Sequence, residues 1–245
     1  MTDSKPTYPT PKSALVTGAG GGVGRETALL LADAGYAVVL TGRTEATLNE
    51  AAAYIREELP DAELHVHPCD VTDSRAVQAL VDAVLARHGR IDALANCAGS
   101  APLQPIAEMT DDVIDAAINV NLKSVLYLTR AVWPTFQKQK SGAVCNVSSM
   151  ASIDPFVGFN VYAAAKAGVN LFTRAAADEG KMFNLIAAAV APGAIETAML
   201  RQNFPEKMIP ASRTLDPLLV AGVIRDVLTG VRKVERGEVI PLPSP

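Results

Sequence analysis

A stretch near the start of the chain leaves little choice of fold. The apolar run Ala14-Leu15-Val16 enters a glycine-dense turn, TGAGGGVG from Thr17 to Gly24; a helical pattern, RETALLLADAG, then closes at Gly35 before a second apolar run, AVVL at 37–40. Two strands joined through a helix within thirty residues do not form a hairpin; they lie parallel, with a right-handed crossover. Both runs are apolar at successive positions rather than alternate ones, so the sheet they begin is covered by helices on each face.

The alternation continues along the chain. A helix is expected from about 44 to 58, a strand at 63–67, and a helix N-capped by Asp73 with Val77, Leu80, Val81, Val84 and Leu85 on its apolar face. Strands follow at 91–95, 143–147 and 185–191, separated by a long helix from Thr110 to Trp133 and by an Ala-rich helix beginning near Tyr162. Asp216-Pro217, an N-cap with proline at the first helical position, opens a helix to about Thr229, and Val239-Ile240 is a short last strand. The expected fold is α/β, a doubly wound parallel sheet of about seven strands with helices on both faces. No repeat or linker interrupts it, so residues 12–245 read as one domain behind a polar, Pro-rich arm at 1–11.

Composition excludes several partners. A net charge of -4 and 5% aromatic residues argue against nucleic acid, which needs a basic face or a stacking platform. No apolar run approaches the length of a membrane span, and the first dozen residues lack the apolar core of a signal peptide. Cys69, Cys97 and Cys145 lie far apart in or beside strand-like runs and read as reduced core thiols, which points to a cytoplasmic protein. His65 and His67 are strand neighbours and His88 closes a helix, so no metal site is expected.

In a doubly wound sheet the ligand lies beyond the carboxyl ends of the strands. Gly18, Gly22 and Gly24 follow the first strand, spaced G-x3-G-x-G, where glycine lets the backbone approach a pyrophosphate at a helix N-terminus. The second strand ends in Thr41-Gly42-Arg43, with no carboxylate to hold a bare ribose and a guanidinium suited to a phosphate. Asp70-Val71 and Asn96-Cys97-Ala98-Gly99 end the next two strands, and Asn121 sits in mid-helix, a poor position unless its amide bonds elsewhere. Each is also ordinary turn or helix chemistry when taken alone. Ser149 leaves the fifth strand, and Tyr162 and Lys166 share one helical face at i, i+4, so phenol and ammonium enter the same space. A nearby positive charge favours the phenolate, and such a tyrosine can exchange a proton with an alcohol or carbonyl oxygen.

Taken together, TGAGGGVG, NCAG at 96–99, Asn121, Ser149, Tyr162-x3-Lys166 and Pro192-Gly193 followed by Thr197 resemble the short-chain dehydrogenase/reductase family, from about Lys12 to Thr197. The resemblance implies a Rossmann-type domain and a catalytic tetrad of Asn121, Ser149, Tyr162 and Lys166, with Tyr162 as acid/base and Ser149 polarising the substrate oxygen. Lys166 would lower the tyrosine pKa and bind ribose, and Asn121 would hold a relay water. Gly18, Gly22, Val23 and Gly24 match the pyrophosphate turn, Asp70, Val71, Ala98 and Gly99 the contacts around adenine and ribose, and Asn96 a residue bracing the sheet. Pro192, Gly193, Ile195 and Thr197 match the segment that holds the carboxamide.

With Arg43, the cofactor implied is NADP(H) rather than NAD(H), and the reaction interconverts a small-molecule carbonyl and a secondary alcohol. The alternatives are an NAD-dependent sugar or hydroxy-acid dehydrogenase and a dinucleotide-binding regulatory protein without turnover. Phe156, Val157 and Phe159 are expected on one pocket wall, and 198–200 with 204–209 as a lid. A homodimer or homotetramer is expected, pairing the 110–133 and Tyr162 helices through Val125, Leu128, Val132, Val169 and Phe172. The end RGEVIPLPSP departs from the family's Gly-Gly tail, and its prolines cannot donate to a ladder, so that edge is expected to be altered.

Overall fold

The structure is a computed structural model describing residues 11–245; the expected arm at 1–11 lies outside the described residues apart from Pro11. Seven strands form one parallel sheet: β1 (Ser13–Thr17), β2 (Ala37–Gly42), β3 (Leu64–Pro68), β4 (Ala93–Asn96), β5 (Gly142–Val147), β6 (Leu185–Pro192) and β7 (Val239–Leu242). Their order is β3-β2-β1-β4-β5-β6-β7, so the connections turn in opposite directions on either side of β1 and β4. The helices are α1 (Gly22–Asp33), α2 (Glu45–Glu58), α3 (Ser74–His88), α4 (Asp111–Ile118), α5 (Ser124–Gln139), α6 (Asn160–Gly180), α7 (Ala198–Asn203) and α8 (Pro217–Thr229).

Alternate residues of each strand feed two separate cores. Ala14, Val16, Val38, Leu40 and Val190 pack with α1, α2 and α8, while Leu15, Val39, Leu94 and Val144 pack with α3 and α5. Helix ends follow from local chemistry. Asp73 accepts from Arg75 N at 2.8 Å to start α3, and Gly89 ends it at φ 70°, a conformation glycine takes without strain. Asp216 accepts from Leu218 N at 2.8 Å to start α8.

Four expectations change. The long helix is two, α4 and α5, joined by a π turn over Asn119–Lys123 in which Ser124 N–H reaches the Asn119 carbonyl. Its cause is Asn121, whose Nδ2 donates at 3.0 Å to the Ala117 carbonyl, the acceptor its own backbone N–H would use in a regular helix. Helix α5 also runs through Pro134 to Gln139, because Phe136, fully buried, holds its last turn against the core.

The expected subunit contacts are the third change. Val125 (2% exposed), Leu128 (1%), Val132 (0%) and Val169 (0%) are buried within this chain, and only Phe172 keeps part of its surface. Any pairing through α5 and α6 therefore uses outward residues such as Leu171, 69% exposed. Fourth, the histidines are not all apart: the His65 and His88 rings lie 4.9 Å apart beside Glu63.

The expected last strand forms and runs on through the Pro-rich edge to Leu242. Ala189 N donates to Glu238 O at 2.9 Å and Gly193 N to Leu242 O at 2.8 Å, so the even-numbered residues of β7 face β6. With period two, Pro241 turns its donorless nitrogen to the free edge. Among the described residues no helix is long and apolar enough to cross a membrane.

Because Leu128 is core, Leu128→Ala is expected to cost about 2–5 kcal/mol of stability. The loss should be the same at all protein concentrations, as read from urea unfolding. An effect that vanishes on dilution would return Leu128 to a subunit interface.

Candidate active site

The glycine turn is shaped by what it must clear. Gly18 takes φ 64°, and a Cβ there would meet the Ala98 backbone at 3.0 Å; Gly22 takes φ 51° at the start of α1. A side chain at Gly24 would collide with the Gly18 carbonyl. The turn therefore folds tightly over the end of β1 and aims the first N–H groups of α1 into the crevice between β1 and β4. Thr17 anchors the other side: its Oγ1 accepts from Cys97 N at 3.0 Å and Ala98 N at 3.1 Å.

The four candidate catalytic residues come from three different segments. Ser149 follows β5 in extended backbone, and its Oγ accepts from Ala151 N at 3.1 Å. Tyr162 lies in the first turn of α6 with Lys166 one turn on, the Lys166 Nζ 5.8 Å from the phenol ring centroid. Lys166 is 4% exposed and donates from Nζ to the Val147 carbonyl at 2.7 Å. Asn121, fully buried, clamps Ser100 in both directions, accepting from its N at 3.2 Å and donating to its O at 2.9 Å. Gly99 fits between these groups, since a Cβ there would lie 2.9 Å from Asn121 Oδ1 and 3.6 Å from Lys166 Nζ.

Burial, rather than the ammonium, dominates the titration of the pair. Desolvation raises the Tyr162 phenol above its usual value of 10.0, with a hydrogen bond from Ser149 pulling the other way. Desolvation also lowers Lys166 to about 8. The expected lowering of the tyrosine by Lys166 does not appear: burial sets the direction of its shift, and Ser149 is the group that opposes it.

One cavity of about 1010 Å³ joins these groups to the glycine turn. Its far wall is apolar, with Leu103, Phe156, Val157, Met199, Phe204 and Met208. The lid expected at 198–209 is a short helix, α7, capped by Thr197, whose Oγ1 accepts from Leu200 N at 3.3 Å. Arg201 straps it down, pairing with Glu196 through Nε at 2.7 Å and donating to the Ile209 carbonyl at 2.7 Å. Phe204 meets Phe159 edge-on at 5.9 Å, and Phe159 lies 5.3 Å from the Tyr162 ring.

The structure gathers most of the sequence candidates and leaves some outside. Gly18, Gly22, Val23, Gly24, Ala98, Gly99, Asn121, Ser149, Tyr162, Lys166, Pro192, Gly193, Ile195 and Thr197 line the cavity. Arg43, Asp70, Val71 and Asn96 do not. Arg43 is exposed beyond β2, near enough to Asp70 to help lower its pKa, although hydrogen bonds from Thr72 lower it more. Val71 is buried in the core. Asn96 donates to Asn146 at 2.7 Å, tying β4 to β5. Thr41 turns its hydroxyl inward and donates it to the His67 carbonyl at 2.7 Å.

Thr17, Ser148 and Ser244 were missed, since a lone hydroxyl carries no pattern. Ser148 Oγ donates to the Lys166 carbonyl at 3.3 Å, and Ser244 Oγ accepts from Ala194 N at 2.7 Å, closing the tail onto the Pro192–Ile195 turn.

These residues fit a dinucleotide. Close-packed glycines at a helix N-terminus favour a pyrophosphate, no carboxylate stands in the first turn of α1, and the cavity is large enough for a nicotinamide arm beside Tyr162.

Comparison with known proteins is consistent with this geometry. The family profile described as short chain dehydrogenase matches residues 12–208. The chain is 37% identical over 236 residues to the 3-oxoacyl-(acyl-carrier-protein) reductase of Thermotoga maritima, covering 94% of this chain and 95% of that one. Among solved structures, levodione reductase superposes with a TM-score of 0.89 at 32% identity, covering 95% of this chain and 96% of the other. A variant of actinorhodin polyketide ketoreductase with NADPH superposes with a TM-score of 0.87 at 28% identity, covering 95% of each.

The buried ammonium makes a signed prediction. Lys166 has a folded pKa of about 8 against 10.5 for the free side chain, so between those values the unfolded chain binds the extra proton and folding gains stability as pH rises. Relative to Lys166→Met, the wild type should gain roughly 2–3 kcal/mol between pH 8 and 10.5. Urea unfolding of both proteins across that range measures it, and a constant difference would mean the ammonium is solvated.

Proposed function

The chain is an oxidoreductase of the short-chain dehydrogenase family, and from that premise we propose that it is an NADP(H)-dependent ketoreductase. Its substrate on this reading is an apolar ketone or 3-oxoacyl compound, which it interconverts with the secondary alcohol. The observation that carries the proposal is the convergence of Ser149, Tyr162 and Lys166 on one apolar cavity continuous with the glycine turn. The nicotinamide supplies the hydride when bound.

The protein's own part is proton handling and placement. Ser149 accepts from Ala151 N and directs its own hydrogen into the space beside Tyr162, where it would turn from the phenol to the substrate carbonyl oxygen. Tyr162, its pKa raised, is protonated at neutral pH and is the acid that oxygen needs as it gains charge. Lys166 then faces the phenolate left behind, and its ammonium offsets that charge while contacting the ribose. Asn121 acts by fixing the Ser100 segment around the pocket.

The apolar lining agrees with a moderately hydrophobic substrate, and the Thermotoga maritima relative is a 3-oxoacyl reductase. NADP(H) is supported by Arg43, exposed at the end of β2 and outside every ion pair found among the described residues. The similar actinorhodin ketoreductase is itself a structure with NADPH.

Tyr162→Phe should cut turnover by about 10²–10⁴-fold with NADPH affinity nearly unchanged. Steady-state assays on a panel of diketones and 3-oxoacyl thioesters test this, and retention of half the activity would remove Tyr162 from its role. Arg43→Ala should weaken NADPH binding roughly 10-fold and leave NADH unaffected, since a hydrogen-bonded charge pair at an exposed site contributes modestly. Equal wild-type affinities for the two cofactors, by fluorescence titration at fixed salt, would overturn the NADP assignment.

A further inference from the structure

We propose that Glu63, His65 and His88 bind a divalent transition-metal ion of the zinc type, at the end of the sheet opposite the active site. Glu63 immediately precedes β3 and His88 ends α3, so both lie at the amino end of the strands, while the dinucleotide crevice lies beyond their carboxyl ends. Their candidate ligand atoms all fall within 4.8 Å of one another. Glu63 Oε1 is 3.3 Å from His65 Nε2 and 3.8 Å from His88 Nδ1. An ion held tetrahedrally by imidazole nitrogen and carboxylate oxygen spaces its ligand atoms about 3.3 Å apart, so small side-chain adjustments close the site. Two imidazoles and one carboxylate suit zinc, cobalt or nickel rather than magnesium or calcium, which prefer all-oxygen sets.

His88 is 7% exposed, and its Nδ1, the nitrogen turned toward Glu63, comes only to 3.8 Å from the carboxylate, beyond hydrogen-bond reach. His65 Nε2 lies 3.1 Å from Arg87 Nε and 3.3 Å from Glu63 Oε1, so in the tautomer that leaves the lone pair on Nε2 it and the carboxylate present lone pairs to one point. Arg87 meets them there from an exposed position on the last turn of α3, and a metal ion would displace it into solvent. A cavity of about 430 Å³ beside the two rings, lined also by Asn49, Arg56 and Arg87, is the entry path. Both arginines oppose a cation there, and Glu63 is the charge that favours it.

A bound ion would clip edge strand β3 to the end of α3. The test is titration of the full chain with Co²⁺, read by its visible absorption, and with Zn²⁺ in competition. One equivalent is expected, weakened at least about 10-fold by Glu63→Gln, a surface change, and by His65→Ala. His67→Ala, the remaining histidine of three, should leave binding unchanged. Arg87→Gln should tighten it, a response that a purely structural cluster would not show. Absence of binding below millimolar metal, undiminished affinity in both ligand variants, or weaker binding in Arg87→Gln would overturn the proposal.

Discussion

The register of β1 on β4, which sets Thr17 opposite Asn96, determines where the glycine turn meets the Asn96–Gly99 segment. One hydroxyl then holds the two together, since Thr17 accepts from the N–H groups of both Cys97 and Ala98. A slip of one residue would turn Leu15 out of the core it shares with α3 and α5 and exchange it for Val16, so the apolar cores on both faces enforce the register. From this pair the connections diverge, and the crevice that opens between them is where ligands bind in such sheets.

Polar groups buried beside that crevice set the geometry of the candidate site. Lys166 is held by the Val147 carbonyl and packed with Tyr162, away from bulk water. Burying an ammonium is unfavourable, and its depressed pKa records that cost. The surrounding network compensates by fixing α6 to the sheet. Asn96 donates to Asn146, Asn146 to Thr173, and Thr173 to the Val169 carbonyl, a chain running from β4 through β5 into α6. Such hydrogen bonds contribute about 0.5–1.5 kcal/mol each, but a missing partner in this buried setting costs more than a present one gains.

The substrate side is built differently, from a lid with few core contacts. Arg201 joins Glu196 to the Ile209 carbonyl and so gives α7 and the 204–209 segment a common strap. The tail substitutes for the Gly-Gly end that the family resemblance led one to expect. Ser244 grips Ala194 N, and Gly193 has no room for a side chain beneath it. The segment matching the carboxamide contact is thereby supported from the chain's last strand.

Strand–turn–helix alternation was legible in the sequence because unbroken apolar runs and capping residues act locally: Asp73, Asp216 and Gly35 mark boundaries through bonds to neighbours a few residues away. The grouping of Ser149, Tyr162 and Lys166 was legible for a similar reason, since one helical turn separates two of them and a strand end presents the third. Only the tertiary structure decided that Val125, Leu128, Val132 and Val169 face this chain's own core, because period alone does not say which apolar face meets the sheet. It also decided that Asn121 clamps Ser100, that Thr41 turns inward, and that burial raises the Tyr162 phenol. The first two depend on partners 21 and 26 residues away in sequence, and the meeting of His65 with His88 is likewise long-range. Short-range pattern encodes the elements; desolvation and long-range pairing, which exist only once the sheet is assembled, set the chemistry of the site.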